Sequence, residues 1–165
     1  SCYLVDTDYI LFLNNDDWYE PNHVESLIAA CETHNAPWSY CLRKVVDKAG
    51  NFLFNDDCEA LGLHENFLGD THVDLSGFCL RREVAQQVAP FLPVKQFADR
   101  TLLQGLKALH PNGIGTGLYT LNYRLGGNEN SVQQSFFEKG NAVMRERYPD
   151  GAFPWASSAS GEETP

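Results

Sequence analysis

The stretch Tyr9-Ile-Leu-Phe-Leu-Asn-Asn-Asp-Asp-Trp-Tyr-Glu-Pro-Asn22 decides the fold of this 165-residue chain. Its first five residues form an apolar run of strand length that is rich in β-forming residues. Four polar residues follow, and Pro21 then occupies the position expected for the first turn of a helix. Open α/β sheets place a site where a buried strand ends in carboxylates and leads into a helix. The stretch therefore predicts an α/β fold with a functional site after Leu13.

The polar part of this stretch, residues 14–17, can supply hard oxygen ligands. Its two carboxylates and two amides are the groups that Mg²⁺ or Mn²⁺ prefers. A solvated turn that caps the following helix would have the same composition, and the four residues alone do not separate the two interpretations. A second Asp-x-Asp, formed by Asp6 and Asp8, precedes the apolar strand, so we expect it at the wrong end of the sheet for this site.

Composition and charge exclude several classes of protein. With 43% hydrophobic and 12% aromatic residues, a chain of this length can bury the core of one domain. The net charge of −10 disfavours a nucleic-acid partner or an anionic membrane surface, because both attract Lys and Arg. The five cysteines are scattered without a Cys-x-x-Cys pair, which favours reduced thiols in a cytoplasm. No apolar run approaches the ~18 residues of a membrane span, so we expect a cytoplasmic protein, either free or at the inner face of a membrane.

Helical and strand patterns alternate along the rest of the chain. Apolar residues at helical spacing predict an amphipathic helix between Pro21 and Asn35, with His23 on the surface. A strand over 38–46 and its partner over 52–54 are expected to precede a solvated acidic loop at 55–57 and a mobile loop at 59–70. The later predicted elements are a strand over 73–80, a helix over 84–88, a helix starting near 97–99, a strand over 118–125 and a helix over 131–148.

The stretch quoted above resembles the core motif of the family-2 glycosyltransferases, which have the GT-A fold. In that family, a strand of the form Tyr-Ile-x-Phe-Leu runs into a metal-binding Asp-x-Asp, followed by an aromatic residue, a proline and a helix. This chain has Asn14 at the first acidic position and Asp16 at the last, which is the acid expected to bind the metal. The resemblance runs from about Tyr9 to Met144. It implies a partial GT-A domain over residues 1–150, with a mixed, Rossmann-like sheet flanked by helices, and we expect a disordered tail over 151–165.

The resemblance also assigns roles to later residues. Asp99 matches the aspartate that acts as general base at a helix start, although Ala98 and Gly105 replace a glutamate and an arginine of the family pattern. A helix cap is the alternative role for this carboxylate. Arg124 matches a segment that contacts the diphosphate, but the histidine of that segment is absent. The implied site comprises Asp16 and Asp17 for the metal, Asn14, Asn15, Asp16 and Arg124 for the donor, Asp99 as the base, and Asp74, Ser76 and Gly77 in the donor–acceptor cleft.

The activity that this resemblance implies is the inverting transfer of a sugar from a nucleotide-diphosphate sugar to a hydroxyl acceptor. The cofactor would be Mn²⁺ or Mg²⁺, and the acceptor a glycan, a lipid or another hydroxyl compound. A non-catalytic GT-A remnant that serves as a binding or assembly module is the main alternative, and a metal-dependent nucleotidyl or phosphoryl transferase is a weaker one. The family's nucleotide-binding βαβ units do not precede Tyr9, so we expect either a fragment of a longer protein or a shortened relative.

Overall fold

A computed structural model describes residues 3–58, 72–91, 98–126, 132–153 and 155. Within these ranges one mixed sheet contains the strands Tyr9–Leu11 (β1), Trp18–Tyr19 (β2), Trp38–Val46 (β3), Phe52–Asn55 (β4), Phe78–Arg81 (β5) and Ile114–Arg124 (β6). The α-helices are His23–Thr33 (α1), Arg82–Val88 (α2), Ala98–Leu109 (α3) and Gln134–Arg147 (α4), and short 3₁₀ turns lie at Leu75–Gly77 and Ala89–Phe91. The predicted α/β class, a mixed sheet flanked by helices, is confirmed.

The strand order places the acidic loop across one edge of the sheet. The order is β1-β5-β3-β6-β2, with β4 paired to the second half of β3. β3 and β6 are parallel and the other pairs are antiparallel, so β1, β3 and β6 all run in one direction. The chain leaves β1 at one end of this order and enters β2 at the other. Residues 12–17 therefore pass over the carboxyl ends of the strands, where α/β proteins commonly place their sites.

Helix α1 packs on the sheet through the face that the sequence predicted, except at its first turn. Leu27 and Cys31 are buried, whereas Val24 is exposed. His23, which was expected on the surface, is fully buried because α1 begins against β2 and β6. Its ring stacks on Tyr19 with centroids 3.7 Å apart, and its Nδ1 lies 2.9 Å from Thr120 Oγ1. Burial lowers the pKa of His23 to about 4, so the ring is neutral at physiological pH.

A second hydrophobic cluster joins β3 and β5 to the helices α2 and α3. Trp38 and Tyr40 of β3 and Phe78 of β5 contribute aromatic rings to it. β6 begins at Ile114, four residues before its predicted start, because Ile114 and Gly115 pair with Ser39 and Tyr40 of β3. Gly113 and Gly115 are places of close approach to these rings. A Cβ atom would come within 2.1 Å of the Trp38 ring at Gly113 and within 2.6 Å of the Tyr40 ring at Gly115.

The last helix and the chain after it depart from the predicted pattern. Apolar spacing in the sequence predicts a buried face of Val132, Phe136, Gly140, Val143 and Met144 for this helix. Gly140 and Met144 are buried as predicted, but the rest of the buried face is formed by Phe137 and Asn141. Beyond α4, Trp155 is buried, stacks on Phe153 and donates a hydrogen bond from Nε1 to Tyr119 Oη at 3.0 Å. The packed chain thus extends past residue 150 to Trp155. The expected mobile loop at 59–70 and the tail at 156–165 lie outside the described residues.

Candidate functional site

The acidic loop between β1 and β2 is held at both of its ends. Asn14 N donates to Ser76 Oγ at 3.1 Å, which attaches the loop to the segment just before β5. Arg124 N donates to Asp17 Oδ1 at 3.2 Å, which attaches it to the last residue of β6. Asn14 Nδ2 also donates to Asp17 Oδ2 at 3.2 Å, within the turn. The loop therefore has a defined conformation over the strand ends.

Asp17 is the buried carboxylate of this loop, with 9% of its surface exposed. Burial, and after it the neighbouring carboxylate of Asp74, raise the pKa of Asp17 to about 6. Hydrogen bonds from Arg124 N and from Asn14 act in the opposite direction, but they do not offset these two effects. Burying the charged form of Asp17 therefore carries a cost that its hydrogen bonds do not remove.

The segment before β5 brings Asp74 and Ser76 to the same place. Asp74 Oδ1 accepts from Ser76 N at 2.9 Å, and Ser76 Oγ donates to Asp17 Oδ2 at 3.3 Å. Gly77 is buried behind them, and a Cβ atom there would lie 3.5 Å from Cys41 O of β3. Of the three predicted cleft residues, Asp74 and Ser76 thus lie at the acidic loop, and Gly77 packs against the sheet.

Arg43, in the middle of β3, is a part of this region that the sequence analysis missed. Its side chain is 3% exposed, with Nε 2.8 Å from Asp56 Oδ2 and Nη1 2.6 Å from Asp74 Oδ2. Its guanidinium also lies 4.7 Å from the centroid of the Tyr123 ring. Burial alone would lower the pKa of Arg43, but the two carboxylates outweigh it and the pKa is raised. The sequence signal that could have revealed this buried ion pair is a pair of consecutive charged residues, Arg43 and Lys44, inside a mostly apolar strand, since they point to opposite faces of the sheet and one of them must face the core.

The expectation of a solvated acidic loop at residues 55–57 is wrong. Asp56 is fully buried against Arg43, and its Oδ1 accepts from Cys58 N at 3.1 Å. Asp57 is half-buried and accepts from Tyr119 Oη at 2.5 Å. The prediction failed because the partners of both carboxylates come from strands that are remote in the sequence.

Asp99, the predicted base, is the second residue of α3 and is paired with His72. His72 Nε2 lies 2.5 Å from Asp99 Oδ2, and Arg100 N donates to Asp99 Oδ1 at 2.8 Å. Burial alone would raise the pKa of Asp99, but the hydrogen bond and charge of His72, with a smaller contribution from Arg43, lower it. Asp99 is therefore ionised at neutral pH. No motif in the sequence marked His72.

The remaining predicted residues differ in their exposure. Asn15 is exposed and Asp16 is partly exposed, so Asp16 is the more accessible of the two acids in the loop. Arg124 contacts Asp17 through its backbone, while its guanidinium lies 5.0 Å from the centroid of the Trp18 ring.

In the part of the chain that the structure describes, no three His, Cys, Asp or Glu side chains form a ready metal site. Mg²⁺ is often bound through one or two carboxylates plus substrate phosphates, and Asp16 with Asp17 suits that smaller ligand set.

Comparison with known proteins identifies the fold. No family model matches the chain, and no curated protein matches it either. Among solved structures, the chain is similar to residues 1–349 of the Staphylococcus aureus glycosyltransferase TarS, crystallised with UDP-GlcNAc, at a TM-score of 0.55 and 10% identity. The fold is glycosyltransferase-like. The alignment covers 95% of this chain and 47% of the TarS chain, so the present chain spans about half the length of that neighbour.

The glycosyltransferase-like fold agrees with the resemblance noted in the sequence, and at this identity it concerns the fold alone. It places the acidic loop, Asp74 and Ser76 at the carboxyl edge of the sheet. Within the described ranges, none of the helices has the length and apolar character needed to cross a membrane.

Proposed function

We propose that this chain is the part of a glycosyltransferase that binds the diphosphate of a nucleotide-diphosphate sugar through a divalent cation and transfers the sugar to a hydroxyl acceptor. One observation carries the proposal: Asp16, the buried Asp17 and Asp74 bring three carboxylates together at the carboxyl edge of a glycosyltransferase-like sheet. Carboxylate oxygens are ligands that Mg²⁺ and Mn²⁺ prefer. UDP-GlcNAc in the TarS crystal structure supports a nucleotide sugar as the donor.

The two acids of the loop would have different tasks. Asp16, being more accessible, would bind Mn²⁺ or Mg²⁺, with the adjacent amides of Asn14 and Asn15 facing the donor. Asp17 accepts hydrogen bonds at both oxygens, and it would hold the loop in place and add its charge to the cation site. When bound, the cation would neutralise the leaving diphosphate as a Lewis acid. Arg124, fixed by its own backbone contact to Asp17, would add positive charge on the side of Trp18.

Asp99 would remove the proton of the acceptor hydroxyl. It is ionised at neutral pH, and His72 and Arg100 N hold its two oxygens in place. A carboxylate with a lowered pKa is a weak base, so it would accept the proton late, when the bond to the leaving diphosphate is largely broken. A single displacement with one base inverts the configuration at the anomeric carbon.

A non-catalytic binding or assembly module is the second candidate. The hydrogen bonds at both oxygens of Asp99 favour it, because they also describe a carboxylate that merely orders the start of α3. Ala98 and Gly105, which depart from the family pattern in the sequence, point the same way. The two candidates differ in what they require of the donor site: the enzyme needs metal-dependent binding of the nucleotide diphosphate, and the module does not.

Calorimetric titration of the chain with UDP, with and without Mn²⁺, tests the proposal. We expect binding that requires Mn²⁺ and that Asp16→Ala abolishes. Asp6→Ala is the matched control, because Asp6 belongs to the other Asp-x-Asp and pairs with Arg82 at the surface. Absence of Mn²⁺-dependent binding by the folded chain, or equal binding by Asp16→Ala, would contradict the proposal. Asp99→Asn should bind UDP normally but lose transfer, and loss of both would make Asp99 structural.

A further inference from the structure

A groove with a volume of about 440 Å³ opens beside the acidic loop. Its walls come from β2, from the second half of β3, from β4 and from the end of β6. This volume lies within the range of roughly 300–1,000 Å³ that is usual for sites of small ligands. The side chains that matter for its chemistry are those of Trp18, Glu20, Lys44, Phe52, Asn55 and Asn122.

The groove combines aromatic surface with polar groups. Trp18 provides one aromatic wall and is partly exposed, whereas Phe52 provides the other and is 59% exposed. Gly50, at φ +89°, lies in the turn between β3 and β4. A Cβ atom at Gly50 would be 3.5 Å from the Trp18 ring, so the turn lies close to that ring. Sugar rings fit such surroundings, because their C–H faces pack on aromatic rings and their hydroxyls bond to amides and charged groups.

The charges in the groove are paired with each other. Lys44 Nζ lies 2.7 Å from Glu20 Oε1, and Asn122 Nδ2 donates to the same oxygen at 3.1 Å. The lining therefore has no net formal charge, which disfavours a phosphate or another strongly charged ligand. An acyl chain is disfavoured as well, because it would remove water from the Lys44–Glu20 pair without replacing the lost hydrogen bonds.

We infer that this groove binds a saccharide unit of the acceptor, so that the acceptor in the proposed reaction is a glycan. The inference rests on the proposed function for the link to transfer, and the position of the groove supports that link. Trp18 directly follows Asp17, and Arg124 contacts both: its backbone bonds Asp17 and its guanidinium lies over the Trp18 ring. The groove thus shares a wall with the loop that would hold the donor's diphosphate.

Binding of neutral oligosaccharides to the whole chain tests the inference. The probes are cellotetraose, chitotetraose and maltotetraose, with inorganic phosphate as a charged comparison, and the readout is the change in ¹H–¹⁵N NMR signals without UDP or metal. We expect at least one tetrasaccharide to shift the Trp18 indole and Asn122 side-chain signals in a saturable way, and phosphate to leave them unchanged. The inference is overturned if none of the three tetrasaccharides shifts these signals, or if phosphate alone does.

Two variants and a matched control locate the binding. Phe52→Ala and Asn55→Ala should each weaken tetrasaccharide binding, Phe52→Ala by about tenfold, which corresponds to about 1.4 kcal/mol. Leu53→Ala should bind as the unchanged chain does, because Leu53 is the neighbouring exposed residue of β4 and lines a different pocket. Equal binding by all three variants would overturn the inference.

The donor titration separates this inference from the proposed function. Mn²⁺-dependent UDP binding without any saccharide binding would overturn the groove assignment and leave the proposed donor site standing. Saccharide binding without UDP binding would support the groove as a glycan site and contradict the transferase, which is the pattern that a carbohydrate-binding module would show.

Discussion

The two acidic clusters of this chain, residues 14–17 and residues 55–57, look alike in the sequence and differ in their charge balance. In the first cluster, Asp17 is buried beside a second carboxylate, and its pKa is raised to about 6. In the second cluster, Asp56 is buried more completely, but the guanidinium of Arg43 lies 2.8 Å from it. Burial is therefore common to Asp17 and Asp56, and the guanidinium in direct contact with Asp56 is what separates these two acids.

This difference suggests which cluster serves the structure and which serves binding. The charge of Asp56 is compensated within the chain, so Asp56 has no need of a ligand. Burial of Asp17 raises its pKa, and the cation of the proposed function would lower the cost of its charged form. A buried carboxylate whose charge is unbalanced is a candidate for function, whereas a balanced one is more often part of the scaffold.

The largest effect should follow from removing the balanced charge. Asp56→Ala would remove the carboxylate that lies 2.8 Å from the buried Arg43 guanidinium, so we expect a loss of about 3–5 kcal/mol in the free energy of unfolding. Urea unfolding followed by circular dichroism measures it. Asp6→Ala, which removes an exposed ion pair with Arg82, should have little effect. A small loss in Asp56→Ala would mean that the pair with Arg43 does not stabilise the fold.

Removing the charge of Asp17 should raise the free energy of unfolding instead of lowering it, and the gain should depend on pH. Because the pKa of Asp17 rises from 3.8 to about 6 on folding, the folded chain binds the proton more tightly. Burying the charged form of Asp17 thus lowers the free energy of unfolding above pH 6, by about 3 kcal/mol at most. This cost disappears as the pH falls towards 4. Asp17→Asn should lack this cost and be more stable than the unchanged chain at pH 8.

The difference between the two proteins is the quantity to measure, in urea unfolding series from pH 8 to pH 4. His23 contributes in the opposite direction, because its pKa falls from 6.5 to about 4 on folding and stability is lost as the pH drops between these values. That contribution is common to both proteins and cancels in the difference. If Asp17→Asn is less stable than the unchanged chain at pH 8, the charge of Asp17 is balanced and the comparison between the clusters fails.

Adding Mn²⁺ and UDP should stabilise the chain through the first cluster only. With Mn²⁺ and UDP together at about 100 times the dissociation constant, we expect a gain of about 2.7 kcal/mol in the free energy of unfolding. Asp16→Ala should show no gain. Asp57→Asn, a change in the second cluster, should keep the full gain. A loss of the gain in Asp57→Asn but not in Asp16→Ala would place the cation at the wrong cluster.

The smallest effect concerns Asp99, a third acid that His72 keeps ionised. Because the pKa of Asp99 is lowered, its pairing stabilises the chain above the ordinary carboxyl range, and that stability is lost as the pH falls below about 4. His72→Asn should lower the free energy of unfolding by about 1 kcal/mol at pH 7. It should also make the free energy of unfolding less dependent on pH below pH 4. An unchanged acid dependence in His72→Asn would mean that His72 does not set the ionisation of Asp99.

Local patterns predicted those features that depend on neighbours in the sequence. The bounds of β3 match the prediction because an apolar run and a turn at Gly50 are local signals. The acidic loop after β1 was located correctly for the same reason. Its fixed conformation could not be predicted, because Ser76 and Arg124 hold it from remote parts of the chain.

The failures at His23, Asp56 and Trp155 share one physical cause, which is a partner on another strand of the sheet. His23 is buried because β6 supplies Thr120, and Asp56 is buried because β3 supplies Arg43. Trp155 packs on Tyr119, although its surroundings in the sequence suggested a tail. For the candidate site, the sequence proposed Asp17, Asp74 and Asp99, and these remain predictions. It missed two of their neighbours: Arg43, which pairs with Asp74, and His72, which pairs with Asp99.

The hydrogen bond between Arg124 N and Asp17 joins residues that are 107 positions apart, and this separation has a kinetic consequence. The acidic loop cannot reach its final conformation until β6 is in the sheet, so the site is completed late, after a large loss of chain entropy. Substitutions in the loop should then speed unfolding and leave the folding rate nearly unchanged. Ligand binding should therefore appear only after β6 has paired with β3.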